Sequence, residues 1–266
     1  MISRLKMFFH IAVVLLMFLS LEVHADALDD IVERGTLRIG VSLFEPWTME
    51  GETGQLSGYE VDVTKKLAQD MSVKSKFIVY KWEDIISALR KGEIDIIAGG
   101  MAITPARALK INFSIPYADS GISLATNTKM TRNVKSLEEL NQKDIIISAV
   151  SESISFELAQ RLFDKANVKA FKTAAEATKA VMDGEAHAYV ATSPQPEFLA
   201  LKYPQKIDIP ITKPLISYKA GFGVRKGEQE WLNFLNAWIT AREADKWLSA
   251  THKHWFESLG WRKEVH

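Results

Sequence analysis

The sequence predicts an α/β protein arranged as two lobes, and three observations carry that prediction. Strand-like and helix-like segments alternate from Leu28 onward; they do so in two separate series; and two strand-like connections join those series before a long helical tail. In the first series, 37–41 alternates like a strand, and 59–71 has the helical period, with Val61, Leu67, Ala68 and Met71 on its apolar side. A strand at 77–80, a helix at 82–91 ending at Gly92 and a buried strand at 94–98 follow. The second series reads helix 136–141, strand 144–150, helix 153–165, strand 168–171, helix 174–183 ending at Gly184, strand 187–191 and helix 194–202. This βαβα order predicts parallel strands covered by helices. The connections 122–126 and 216–224 lead into and out of the second series. The helical tail 230–255 is expected to pack back on the first, which makes two crossings between lobes.

The first residues stand apart from this fold. Arg4 and Lys6 precede an almost unbroken apolar run from Phe8 to Leu21, and Val23-His24-Ala25 ends in a small residue before Asp26. That is a secretory signal pattern, expected to be cleaved after Ala25, and the run is short for a bilayer span of about 20 residues. Residues 1–25 are therefore read as signal, and export to the periplasm is expected. The charges balance at 33 basic against 33 acidic residues, so no basic surface predicts nucleic-acid binding. There is no cysteine, so stability must come from the core rather than from disulfides.

One stretch carries chemistry. Gly99-Gly100-Met101-Ala102-Ile103-Thr104-Pro105-Ala106-Arg107 follows a buried strand and opens a short helix. Thr104 can cap that helix, and Pro105 suits its first position, where no N–H is needed. Arg107 then lies in the first turn beside free N–H groups at the positive end of the dipole. A planar fork of donors there suits a carboxylate.

The residues resemble a known family, the bacterial extracellular solute-binding proteins of family 3, the periplasmic polar amino-acid type. The resemblance rests on Gly58-Tyr59-Glu60-Val61-Asp62-Val63 with Leu67-Ala68, on Trp82 with Gly92-Glu93-Ile94-Asp95, on 99–117 and on 222–227 with the Trp-rich end. It covers essentially the whole mature chain. The resemblance implies a type II two-lobed periplasmic binding fold with two hinge strands, lobe 1 comprising 26–124 plus 218–266 and lobe 2 comprising 125–217. It also implies a cleft that closes on one small carboxylate ligand and delivery to a membrane ABC transporter permease. A monomer that needs no cofactor or metal is expected.

The same resemblance implies the site. Arg107 would grip the ligand carboxylate in a bidentate pair. Gly100 and Ala102 would offer backbone groups, Ala102 without the hydroxyl usual there. Phe44 would form an aromatic wall, with Trp47 and Tyr117 as further cleft candidates. In lobe 2, Ser153 would offer its hydroxyl and N–H, while Glu152 stands where relatives usually have glycine. Thr192 stands where amino-acid binders carry an aspartate for the α-ammonium. An unpaired buried ammonium costs several kcal/mol, so within the expected ligand class, an amino acid or a related organic acid, Thr192 favours a carboxylate with a neutral or differently placed nitrogen. Two other functions fit less well: a cyclohexadienyl dehydratase-like enzyme with Glu152 as acid, and a ligand-sensing partner of a membrane receptor. His252 and His254 lie two apart on a helix and do not make a metal pair. Gly221-Phe222-Gly223 lacks the strand–turn–helix setting of a dinucleotide site.

Overall fold

A computed structural model describes residues 26–134 and 136–257, so the expected signal at 1–25 lies outside the described residues. Helix α1 (Ala27–Arg34) is capped by Asp26, whose carboxylate accepts from Leu28 N and also from the N–H groups of Glu230 and Trp231. One acid thus starts the first helix and ties it to the last third of the chain. Strand β1 (Thr36–Val41) follows, then the small hairpin β2 (Met49–Glu50) and β3 (Leu56–Ser57), helix α2 (Tyr59–Asp70) and strand β4 (Lys74–Val79). Helix α3 (Ile85–Arg90), strand β5 (Ile96–Ile97), the single turn α4 (Pro105–Ala108) and strand β6 (Asn112–Phe113) complete the first series.

The long strand β7 (Ala118–Asn127) leads to α5 (Leu137–Leu140), β8 (Ile146–Val150), α6 (Ile154–Leu162), β9 (Asn167–Phe171), α7 (Ala174–Met182) and β10 (Ala188–Thr192). After α8 (Gln195–Lys202) and β11 (Ile207–Asp208), strand β12 (Ile216–Ala220) returns to β13 (Gly223–Val224), α9 (Gln229–Ala244) and α10 (Trp247–Phe256). The expected single tail helix is broken between Ala244 and Trp247, where Lys246 takes a left-handed φ of 64°.

Apart from the two-stranded β2–β3 hairpin, the strands of the described residues form two sheets. The first has the order β4-β1-β5-β13-β6, the second β11-β7-β10-β8-β9. Strand β1 runs parallel to β4 and β5, and β8 runs parallel to β9 and β10, as the βαβα order predicts. Each series therefore places its opening strand between its next two. That arrangement puts a ligand crevice at the carboxyl ends of the strands, where the order reverses.

Strands β7 and β12 pair antiparallel from Ala118↔Ala220 to Ile122↔Ile216, and they join the two sheets. Tyr117, Ala118 and Ala220 belong to the core of the first sheet, whereas Ile122 and Leu124 belong to that of the second. Tyr218 packs against both cores. The tail helices bury Trp231, Leu235, Trp238, Leu248 and Trp255 on the first core, as the sequence predicts.

Candidate functional site

A cavity of about 410 Å³ opens between the two sheets. Its walls come from the segments that leave the carboxyl ends of six strands. Ser42 and Phe44 follow β1, Tyr80 and Trp82 follow β4, and Gly100 follows β5. Ser153 follows β8, Thr173 follows β9, and Thr192 ends β10. The volume is within the range of small-molecule sites.

Arg107 lies at the junction of the two halves. Thr104 caps α4 by accepting from Arg107 N at 3.3 Å, and Pro105 occupies the first turn, as the motif predicts. Arg107 is only 8% exposed. It donates to the Ala102 carbonyl at 3.2 Å and across the cleft to the Glu152 carbonyl at 3.3 Å, and it lies 5.5 Å over the Trp82 ring. No carboxylate within ion-pair distance is among its partners in the described residues. Burial lowers its pKa, an effect partly opposed by Glu157. A buried cation held by carbonyls and a ring face, on the wall of a cavity, has the chemistry to receive an anion.

The other expected residues are brought together unequally. Phe44, Trp47, Gly100, Ala102, Ser153 and Thr192 all line the cavity with Arg107. Tyr117 does not, and the expectation for it is corrected. Its ring is sealed against Phe222 at 4.0 Å, and its hydroxyl donates to Glu60 at 2.5 Å. Gly100 contributes differently from its expected part, because its N–H is already taken by Glu60 Oε1 at 2.5 Å. Its φ is +59°, and a Cβ there would fall 2.8 Å from the buried Trp47 ring. Gly100→Ala therefore combines left-handed strain with overpacking. It should lower stability by about 2 kcal/mol, which urea unfolding would register.

Ser153 spends its hydroxyl locally: it donates to Val150 O at 2.6 Å and caps α6 by accepting from Phe156 N. Glu152 has a left-handed φ of 56°, the conformation that glycine adopts without strain. Its side chain is exposed and lines a smaller neighbouring cavity instead, while its carbonyl receives both Arg107 and Trp82 Nε1. Thr192 Oγ1 accepts from Tyr218 at 3.2 Å.

Of the lining residues outside the expected set, four carry most of its chemistry. Trp82 forms the platform under Arg107, and Tyr218 reaches in from the crossing strand β12. Lys81 and Lys172 stand at the rim, one from each half. Trp82 was visible in the sequence as a landmark, but its pairing with residue 152 is a contact between halves that no local pattern encodes. Among the described residues that line the cavity there is no aspartate or glutamate.

Two sheets joined by a pair of crossing strands, with a buried arginine in the cleft between them, define a two-lobed solute receptor. The sequence profile of the bacterial extracellular solute-binding proteins, family 3, matches residues 37–258, and the chain belongs to that family. It is 26% identical over 253 residues to the L-cystine-binding protein TcyJ of Escherichia coli K12, covering 92% of each chain. Among solved structures it resembles a putative binding component of an ABC transporter from Wolinella succinogenes, complexed with lysine. The TM-score is 0.80 at 29% identity, covering 86% of this chain and 99% of that one. It also resembles an ancestral amino acid-binding protein, a precursor of cyclohexadienyl dehydratase. There the TM-score is 0.79 at 33% identity, covering 87% of this chain and all of that one.

Proposed function

We propose that the protein is a non-catalytic periplasmic receptor that captures a small carboxylate between its lobes and hands the closed form to a membrane ABC-type transporter. The lobes are 26–124 with 218–266, and 125–217. The observation that carries this reading is Arg107, a buried cation without an acidic partner on a cavity wall. Closure excludes water, which strengthens its attraction for a carboxylate. Arg107, Trp82 and Ser151 already reach across the cleft, to Glu152 O and to Glu83 Oε2, so the closed form has its own polar clasp. The receptor works as a monomer and needs no cofactor.

The ligand is a carboxylate with a neutral or differently placed nitrogen rather than a standard α-amino acid, because Thr192 offers a hydroxyl where an acid would be needed and the described lining residues include no carboxylate. A dehydratase reading would require an acid facing the ligand, and the exposed Glu152 side chain does not line this cavity. Calorimetry against amine-free carboxylates and α-amino acids tests the assignment. Amine-free carboxylates should bind and glutamine or histidine should not; tight binding of either amino acid refutes it. In Thr192→Asp the preference should move toward α-amino acids by at least tenfold, since a close buried ion pair is worth about 1.5 kcal/mol or more.

A further inference from the structure

We infer that the ligand carries two anionic groups on an apolar, ring-sized body, one held by Arg107 in the depth of the cleft and the other at its mouth between Lys81 and Lys172. This deepens, and rests on, the carboxylate reading of Arg107. The charges on the cavity wall come from these three residues alone among the described ones, and all three are cations. Arg107 is buried, whereas both lysines are exposed at the rim. Lys81 comes from the first half, just after β4, and Lys172 from the second, just after β9. Neither ammonium is in an ion pair with a described residue. Glu176 is near Lys172, but its carboxylate is engaged by the backbone N–H groups of Lys172 and Thr173 in a capping box.

Two further features of the wall favour negative charge. The nine-residue helices α6 and α7 both begin at the cavity, with Ile154 and Ser155 of one and Ala174 and Ala175 of the other on its surface. Their positive ends therefore lie on the wall that also carries the lysines. Much of the wall they share is apolar or aromatic, with Phe44, Trp82, Val150, Ile154 and Tyr189, the last with its hydroxyl already bonded to Gln195, and its remaining polar side chains are neutral hydroxyls such as Ser42, Thr173 and Thr192. The cavity thus combines one buried cation, two exposed cations and a largely apolar wall. Among the described lining residues, a ligand with a cationic end would meet three positive side chains and no acid to receive it. A dianion with an apolar middle matches those charges and the apolar part of the wall.

Titration calorimetry on the mature protein tests this with phenylalkanoates of one to three methylenes, each compared with its para-carboxy derivative and its para-aminomethyl derivative. The dicarboxylate should bind at least tenfold more tightly than the matching monocarboxylate, and the aminomethyl compound more weakly than either. In Lys81→Gln/Lys172→Gln the dicarboxylate advantage should fall to within twofold. Raising the salt to about 1 M, where the screening length is about 3 Å, should erode it in the same direction, because the lysines are exposed. Monocarboxylate binding that depends on Arg107 but gains nothing from a second carboxylate overturns the inference and leaves the carboxylate reading standing. An advantage that survives in the double variant also overturns it. Binding of the aminomethyl compounds alone, indifferent to Arg107, overturns both.

Discussion

Arg107→Met is expected to abolish ligand capture while leaving the fold intact. The loss should be about 2–5 kcal/mol of binding, roughly 30-fold to several thousandfold, the usual cost of removing one partner from a buried charge-assisted pair. The same change should leave the unliganded protein as stable as the wild type or more so. In the unliganded site Arg107 is buried with carbonyls and the Trp82 ring as partners, and burial lowers its pKa. Replacing a poorly compensated buried charge with an apolar chain of similar length is commonly neutral or stabilising. Methionine would also keep the stem packed on Trp82. Calorimetry and thermal unfolding of the same variant should thus move in opposite senses. Binding retained within a few-fold would remove Arg107 from the site, and a large fall in melting temperature would make it a structural residue.

The fold was legible where local pattern and tertiary context agree. The two βα series, the glycines that end α3 and α7 with positive φ at Gly92 and Gly184, and the return of the tail to the first core all follow from periodicity and stop signals. The break at Lys246 was not legible, because a lysine gives no warning of a left-handed residue. At the site, Arg107 could be read because Thr104 and Pro105 fix the start of its helix. Tyr117 could not, because an aromatic in the irregular segment between β6 and β7 can face either the cleft or the core. Here it faces inward, where Glu60 needs its hydroxyl. Tyr218 was missed for the converse reason: it sits in a strand named only as a connection, and its function arises from lying between both cores. The rim lysines are separated by 91 positions, so only the packing of the two sheets against each other places them around one opening.

Glu60 makes the stability of the first lobe dependent on pH. Its carboxyl is fully buried, with Oε1 accepting from Gly100 N–H and Tyr117 O–H and Oε2 without a partner. Burial pushes its pKa up to about 7, against the two hydrogen bonds, which pull it down. Tyr59 and Tyr117 face it as neutral rings, their own pKa values raised chiefly by burial and further by the Glu60 charge. The native state thus keeps a proton that the unfolded chain releases near pH 4.5, so the unfolded state is favoured progressively as pH rises from about 4.5 to 7. The full difference is about 3 kcal/mol and is reached above pH 7. Glu60→Gln keeps an acceptor for both hydrogen bonds and cannot ionise. It should be level with the wild type at about pH 4, where the carboxyl is largely neutral in both the folded and the unfolded wild type, and more stable by up to about 3 kcal/mol at about pH 8. At roughly 2–4 °C per kcal/mol, that is a relative gain in melting temperature of about 6–12 °C between the two pH values. A stability difference between variant and wild type that does not change with pH would mean that Glu60 is ionised throughout. Because Glu60 holds the Gly100 peptide on the cavity wall, the same titration reaches the loop that carries Arg107.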